Sequence, residues 1–157
     1  MFSRTVLGLS LSPRCLGVAV FRSGELVDWE LRHFKGCWCD KKLEKILAAV
    51  QRLMQQYSPT LIAVKQSKPS CRAHVSSVCN RVLDLIERTA IPLKHIPIAS
   101  IKKFPHANKY DLVQAVSRHF PILAEYNKNK LQFLSGYYIK LFEAVAVAYE
   151  FIDTAAM

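Results

Sequence analysis

Acidic side chains are scarce in this sequence: 12 Asp and Glu stand against 22 Lys and Arg, a formal net charge of +10 over 157 residues. A small domain this basic meets a polyanion, whether DNA, RNA or an anionic membrane surface. Also lacking is an uncharged stretch long enough to cross a bilayer. Residues 131–152, LQFLSGYYIKLFEAVAVAYEFI, have the length, but Lys140 and Glu143 fall in the middle. That segment therefore reads as a buried core helix, and no membrane partner is expected. Cysteine supplies no disulfide framework. Five occur, an odd number without regular spacing, which fits a reducing compartment inside the cell, be it cytoplasm, nucleus or organelle matrix. Cys37-Trp38-Cys39 could join His33, or Cys71 and His74, around zinc. Cys-x-Cys is not the zinc-knuckle spacing, so reduced thiols are expected and no metal. Repeats and low-complexity tracts are absent too, and the length suits one domain, taken as residues 1–157.

What is present is a clear alternation of strands and helices. Three strands are expected near 5–11, 16–22 and 25–34, separated by the turn signals Ser12-Pro13-Arg14 and Ser23-Gly24. Arg4, Arg14 and Arg22, with no acid before Glu25, faintly resemble a mitochondrial presequence. The segment alternates like a strand, however, and Pro13 would interrupt an amphipathic helix, so it reads as mature structure. Asp40 can cap a helix whose Leu43, Ile46, Leu47, Val50, Leu53, Met54 and Tyr57 share one face. A buried strand follows at 60–65, then a helix over 71–90 and a short strand at 92–97. Asn108, with Asp111 three residues on, opens a helix that stops at Pro121. The apolar C-terminal helix closes the chain. A hairpin meander followed by strands reached through helical crossovers gives an α/β fold: an RNase H-like mixed sheet, three antiparallel strands then parallel ones, with helices on both faces.

The strand TLIAVKQSK ends on a cation, at the sheet edge where α/β folds place their working residues. The local sequence around it carries a resemblance. VLGLSLSPRCLGVAVF resembles the opening of RuvC-type Holliday junction resolvases, whose first strand bears a Gly-hydrophobic-Asp element. LIAVKQ is similar to the strand that presents the family's second carboxylate. IKLFEAVAVAYEF resembles its last helix, which has Asp-x-x-Asp before small apolar residues, and SIKKFPHANKYDLVQAV resembles the segment with its functional lysines. The likeness runs from about residue 5 to residue 152.

The departures fall on the chemistry. Ser10 stands where the first Asp belongs, Lys65 where the Glu belongs, and Lys140 in the first place of the helical pair; Glu143 alone is acidic. Lys102 or Lys103, and Lys109, match basic positions of the family, and Lys68 takes the place of its wedging aromatic. The resemblance implies phosphodiester hydrolysis with a pair of magnesium ions, which need clustered oxygen ligands. An ammonium about 4 Å from a dication costs about 8 kcal/mol at an effective dielectric of about 20. The site as written should not hold two such ions, and Lys65 or Lys140 is expected to pair with Glu143. Asp28, Glu30 and Asp40 are not placed to replace the missing acids.

The expectation is therefore a pseudo-nuclease: a resolvase-like protein that binds nucleic acid, DNA and branched DNA in particular, with RNA not excluded, and does not cut it. No cofactor is expected. Its binding residues would be Lys65, Lys68, Arg72, Lys102, Lys103 and Lys109. The resemblance also implies a homodimer through the 71–90 helix. Two alternatives stay open: an active endonuclease that uses Glu143 in a non-standard magnesium site, and an architectural subunit of a nucleoprotein or viral assembly. A sugar-kinase or actin-like module would want an Asp-x-Gly phosphate turn, which SLSPRC lacks. The histidines, His33, His74, His95, His106 and His119, show no catalytic spacing and read as structural or surface residues. Trp29 and Trp38 flank the third strand as core or interface.

Overall fold

Short apolar alternations and tight turns set up the first half of the sheet. In the computed structural model, which describes residues 4–67, 73–128 and 135–152, β1 (Thr5–Leu11), β2 (Cys15–Arg22) and β3 (Glu25–His33) form an antiparallel meander. Ser12 closes the first turn. Its amide donates to the Cys15 carbonyl at 3.0 Å, and its hydroxyl oxygen accepts from the amides of Arg14 and Cys15. Ser23 and Gly24 make the second, with φ of 54° and 84°, the left-handed pair that suits a two-residue hairpin loop. Next come α1 (Asp40–Tyr57), β4 (Leu61–Lys65), α2 (Ala73–Glu87) and β5 (Leu93–Ile96). The chain then runs through α3 (Lys109–His119), α4 (Ala124–Lys128) and α5 (Ser135–Glu150). The sheet order is β3-β2-β1-β4-β5, with β4 parallel to β1 and β5 parallel to β4.

The period of two along each strand divides the core. Leu7, Leu9, Leu11, Val18, Val20, Ile62 and Val64 pack with Ile46, Val50 and Leu53 of α1 and with Val78, Val82 and Ile86 of α2. Val6, Ala19, Phe21, Leu61 and Ala63 face the other way, onto α3 and α5. On that second face the strands carry small residues, and α5 descends onto them. A Cβ at Gly8 would lie 2.2 Å from the Ala144 carbonyl oxygen, and one at Gly17 2.1 Å from that of Lys140. These two glycines set the depth at which α5 sits over β1 and β2, and so the position of every α5 side chain above the sheet edge.

The expected mixed sheet with helices on both faces is the one observed. Its details differ in two places. Cys39, extended at φ −162°, is the residue before α1, and Asp40 is the first helical residue rather than the cap; there its charge still favours the positive end of the helix dipole. Asn108 does cap α3, accepting from the Asp111 amide at 2.9 Å. Between α3 and α5 the chain makes a 3-10 turn at Pro121–Leu123 and the short α4, where the sequence reading has only a stop at Pro121. Lys68, Arg72, Cys71, Lys130 and the start of the expected 131–152 helix lie outside the described residues. Among the described residues, no helix is long and apolar enough to cross a membrane.

The close approach of α5 is testable by one methyl group. Gly17→Ala meets backbone rather than a movable side chain, so it should lower stability by about 3 kcal/mol in a urea melt. Unchanged stability would show that α5 is not held by this contact.

Candidate functional site

The register of the parallel pair brings the site together. Leu9 of β1 pairs with Val64 of β4, so Ser10 and Lys65 follow side by side at the carboxyl ends of the two strands. Both lie on the α5 face. From α5, Lys140 and Glu143, one turn apart, complete a cluster of four. Glu143 is only 1% exposed. Its Oε2 lies 3.0 Å from Lys65 Nζ, and its Oε1 accepts from Ser10 Oγ at 3.0 Å and lies 3.5 Å from Lys140 Nζ. Both carboxylate oxygens are thus engaged by donors of this chain.

Burial and charge pull against each other here. Burial raises the Glu143 carboxyl, but Lys140, Lys65 and the hydrogen bonds from Lys65 and Ser10 together outweigh it and hold the group below the ordinary glutamate range. Burial lowers the Lys65 ammonium below the ordinary lysine range; Glu143 opposes that shift and Lys140 adds to it. Nearby, burial raises the Cys15 thiol, which makes it a poor nucleophile.

The cluster forms the floor of a cleft of about 500 Å³. Lys65, Lys140 and Glu143 share its lining with Lys109 from α3, and with Gln66, Ser67, His106 and Asn108. Lys102 and Lys103 are not among the lining residues. Lys103 turns its ammonium onto the end of α5, donating to the carbonyls of Tyr149 (3.0 Å) and Ile152, while the amides of both lysines donate to Glu150. Asp28 accepts from the Tyr57 hydroxyl and Glu30 pairs with Arg32, so these acids belong to the β3 edge rather than to the cleft. His106 and Asn108 enter the lining although the sequence reading gives them no binding role. Their place after β5 and before α3, at the same sheet edge as Lys65, was the available signal.

Comparison with solved structures gives the fold a name. The chain superimposes on the RuvC of Thermus thermophilus in complex with a Holliday junction substrate with a TM-score of 0.67 at 16% identity, covering 94% of this chain and 91% of that one. It is similar to the yeast mitochondrial Holliday junction resolvase Ydc2, at 0.62 and 10% identity over 92% and 76% of the two chains. It is also similar to the fowlpox virus resolvase in complex with Holliday junction DNA, at 0.56 and 12% identity over 92% and 93%. The fold is RuvC-like. No sequence-family model and no curated protein matches the chain.

The RuvC-like fold raises the question of divalent metal, and the donors present do not fit one. The four clustered positions hold one carboxylate, one hydroxyl and two ammoniums, and both carboxylate oxygens already accept from the others. Magnesium needs several hard oxygen ligands, and two fixed cations repel it. Among the described residues, no three His, Cys, Asp or Glu side chains converge as a metal cage.

Removing the anion should expose the cost of the cations. Glu143→Gln leaves two partly buried ammoniums without their partner and should lose about 3–5 kcal/mol at neutral pH. The folded carboxyl titrates below its ordinary value of 4.5. Its contribution is therefore full above that value and lost as pH falls through the folded pKa. The gap between wild type and Glu143→Gln in chemical melts should narrow in the same acid range; a gap independent of pH there would contradict the ion pairing.

Proposed function

We propose that this chain binds nucleic acid, branched DNA in particular, through the Lys65–Lys140–Lys109 cleft, and that it does so without metal-dependent cleavage. The observation that carries the reading is the engagement of both Glu143 oxygens by Lys65, Lys140 and Ser10. Three ammoniums against one carboxylate leave the cleft a surplus of two positive charges. A phosphodiester supplies the complementary charge, and ammoniums with a hydroxyl and amides are suitable donors to its oxygens. The preference for branched DNA draws on the RuvC-like fold and on two of its structural neighbours, which are complexes with Holliday junction DNA.

The absence of cleavage follows from what an ammonium can and cannot do. It neutralises charge on a phosphate, as a metal ion would. It does not bind a water and make it a hydroxide at neutral pH, which is the second role of the metal in this type of hydrolysis. Ser10 hydrogen-bonds to a carboxylate that two cations hold below the ordinary range, so that carboxylate is a weak base toward the hydroxyl.

A gel titration tests the reading. A labelled four-way junction and a matched duplex are mixed with the protein in magnesium, in manganese and in EDTA. A shift in all three, strongest for the junction and without nicks, is the expected result. Metal-dependent nicks, or no shift even at low salt, would overturn it. Lys109→Ala, outside the Glu143 cluster, should weaken binding and reduce the slope of log affinity against log salt by about 0.9.

A further inference from the structure

The cleft lined by Lys65 and Lys140 is the first of a row of three. Val75 lines both it and a middle cleft, and Arg14, Gly36 and Lys42 line both the middle cleft and a third. The lining of the middle and third clefts contains no acid among the described residues. It contains Arg14, Lys35 and Lys42. The cationic track at the sheet edge therefore continues past the Glu143 cluster.

The middle cleft also carries an aromatic surface. Trp38, partly buried, packs against the α1–α2 core and stacks on the His74 ring of α2, with centroids 5.0 Å apart and planes 18° from parallel. The loop that bears Trp38 is pinned. Gly36 adopts φ +95°, and Lys42 Nζ donates to its carbonyl at 2.8 Å. Lys42 is 6% exposed, yet it lines the cleft, and an ammonium has three protons to donate. A stacked ring pair beside Lys42, tied to the Gly36 carbonyl, and the exposed Arg14, with no carboxylate in the lining, is the composition that holds single-stranded nucleic acid: bases stack on the rings while the cations follow the phosphates.

We propose that the middle cleft seats one unpaired nucleotide of a strand that continues from the Lys65–Lys140 cleft, its base against the Trp38–His74 pair and its phosphate on Arg14 and Lys42. A base offers its face only when it has left the duplex stack, so the occupant is single-stranded. The proposal rests on the nucleic-acid reading of the first cleft and deepens it by naming the form of the strand beside it.

The test compares two fluorescent ligands in EDTA by anisotropy: a blunt duplex, and the same duplex with a short single-stranded extension. Trp38→Leu keeps apolar packing and removes the ring. It should weaken binding of the extended duplex about tenfold and leave the blunt duplex unchanged, whereas Trp38→Phe should retain most of the difference. In a Trp29→Phe background the remaining tryptophan fluorescence should be quenched by the extended duplex and not by the blunt one, a readout that stands even where Trp38→Leu folds poorly. Equal losses on both ligands, or quenching by neither, would overturn this proposal while leaving the first cleft's reading intact. Failure of the wild-type chain to bind either ligand or a junction would overturn both.

Discussion

Glu143 is an anion with almost no water, and the arrangement around it follows from that. Removing a carboxylate from solvent costs several kcal/mol even after relaxation, and here the repayment comes from two ammoniums and a hydroxyl within 3.5 Å. The dependence is mutual, since Lys65 and Lys140 stand close enough to repel one another and need the same carboxylate. Three elements must hold their positions for the cluster to close. β1 and β4 do so through their parallel register, and α5 does so through its contact with Gly8 and Gly17. The backbone packing and the electrostatics are therefore one constraint.

Fixed cations and exchangeable ones give different proteins. A site that recruits metal ions binds its substrate most tightly, and acts on it, when the ions are present. A site whose positive charge is covalently part of the chain carries it in their absence and responds to salt through counterion release alone. Such a site can neutralise phosphate charge, but it has no bound water to activate. On the function proposed above, binding and hydrolysis, coupled in a metal site, are separated in this one by the choice of side chains.

Most of the fold could be read from the sequence because its signals were local. The period-two alternation of β1 and β2, the helical stripe from Leu43 to Tyr57 and the Asn108–Asp111 cap all sit within a few residues of the structure they specify. The partners of Glu143 were legible only through the resemblance, which aligned Ser10, Lys65 and Lys140 at one sheet edge; no local pattern connects residues 10 and 143. Lys103 shows the opposite case. Its sequence setting matched a basic binding position, whereas its ammonium is spent on the carbonyls that end α5, a demand visible only once the helix terminus lies beside it. Trp38 and His74 were equally silent, because a stacked pair drawn from a loop and a separate helix leaves no spacing to read.

The exposure of the three charged groups supports the proposed recognition site over a purely structural ion cluster. As a device for stability alone, a buried ion set is a poor choice, since well-packed apolar residues of similar volume do as well or better by about 1–4 kcal/mol. Here the carboxylate side chain is 2% exposed, while the Lys65 and Lys140 side chains are 17% and 21% exposed and line the cleft. The anion lies beneath and the cations open upward. On the proposed function, Glu143 is the anchor that fixes two ammoniums at defined positions, with their unused protons available to an incoming anion, so that their side-chain entropy is lost on folding rather than on binding.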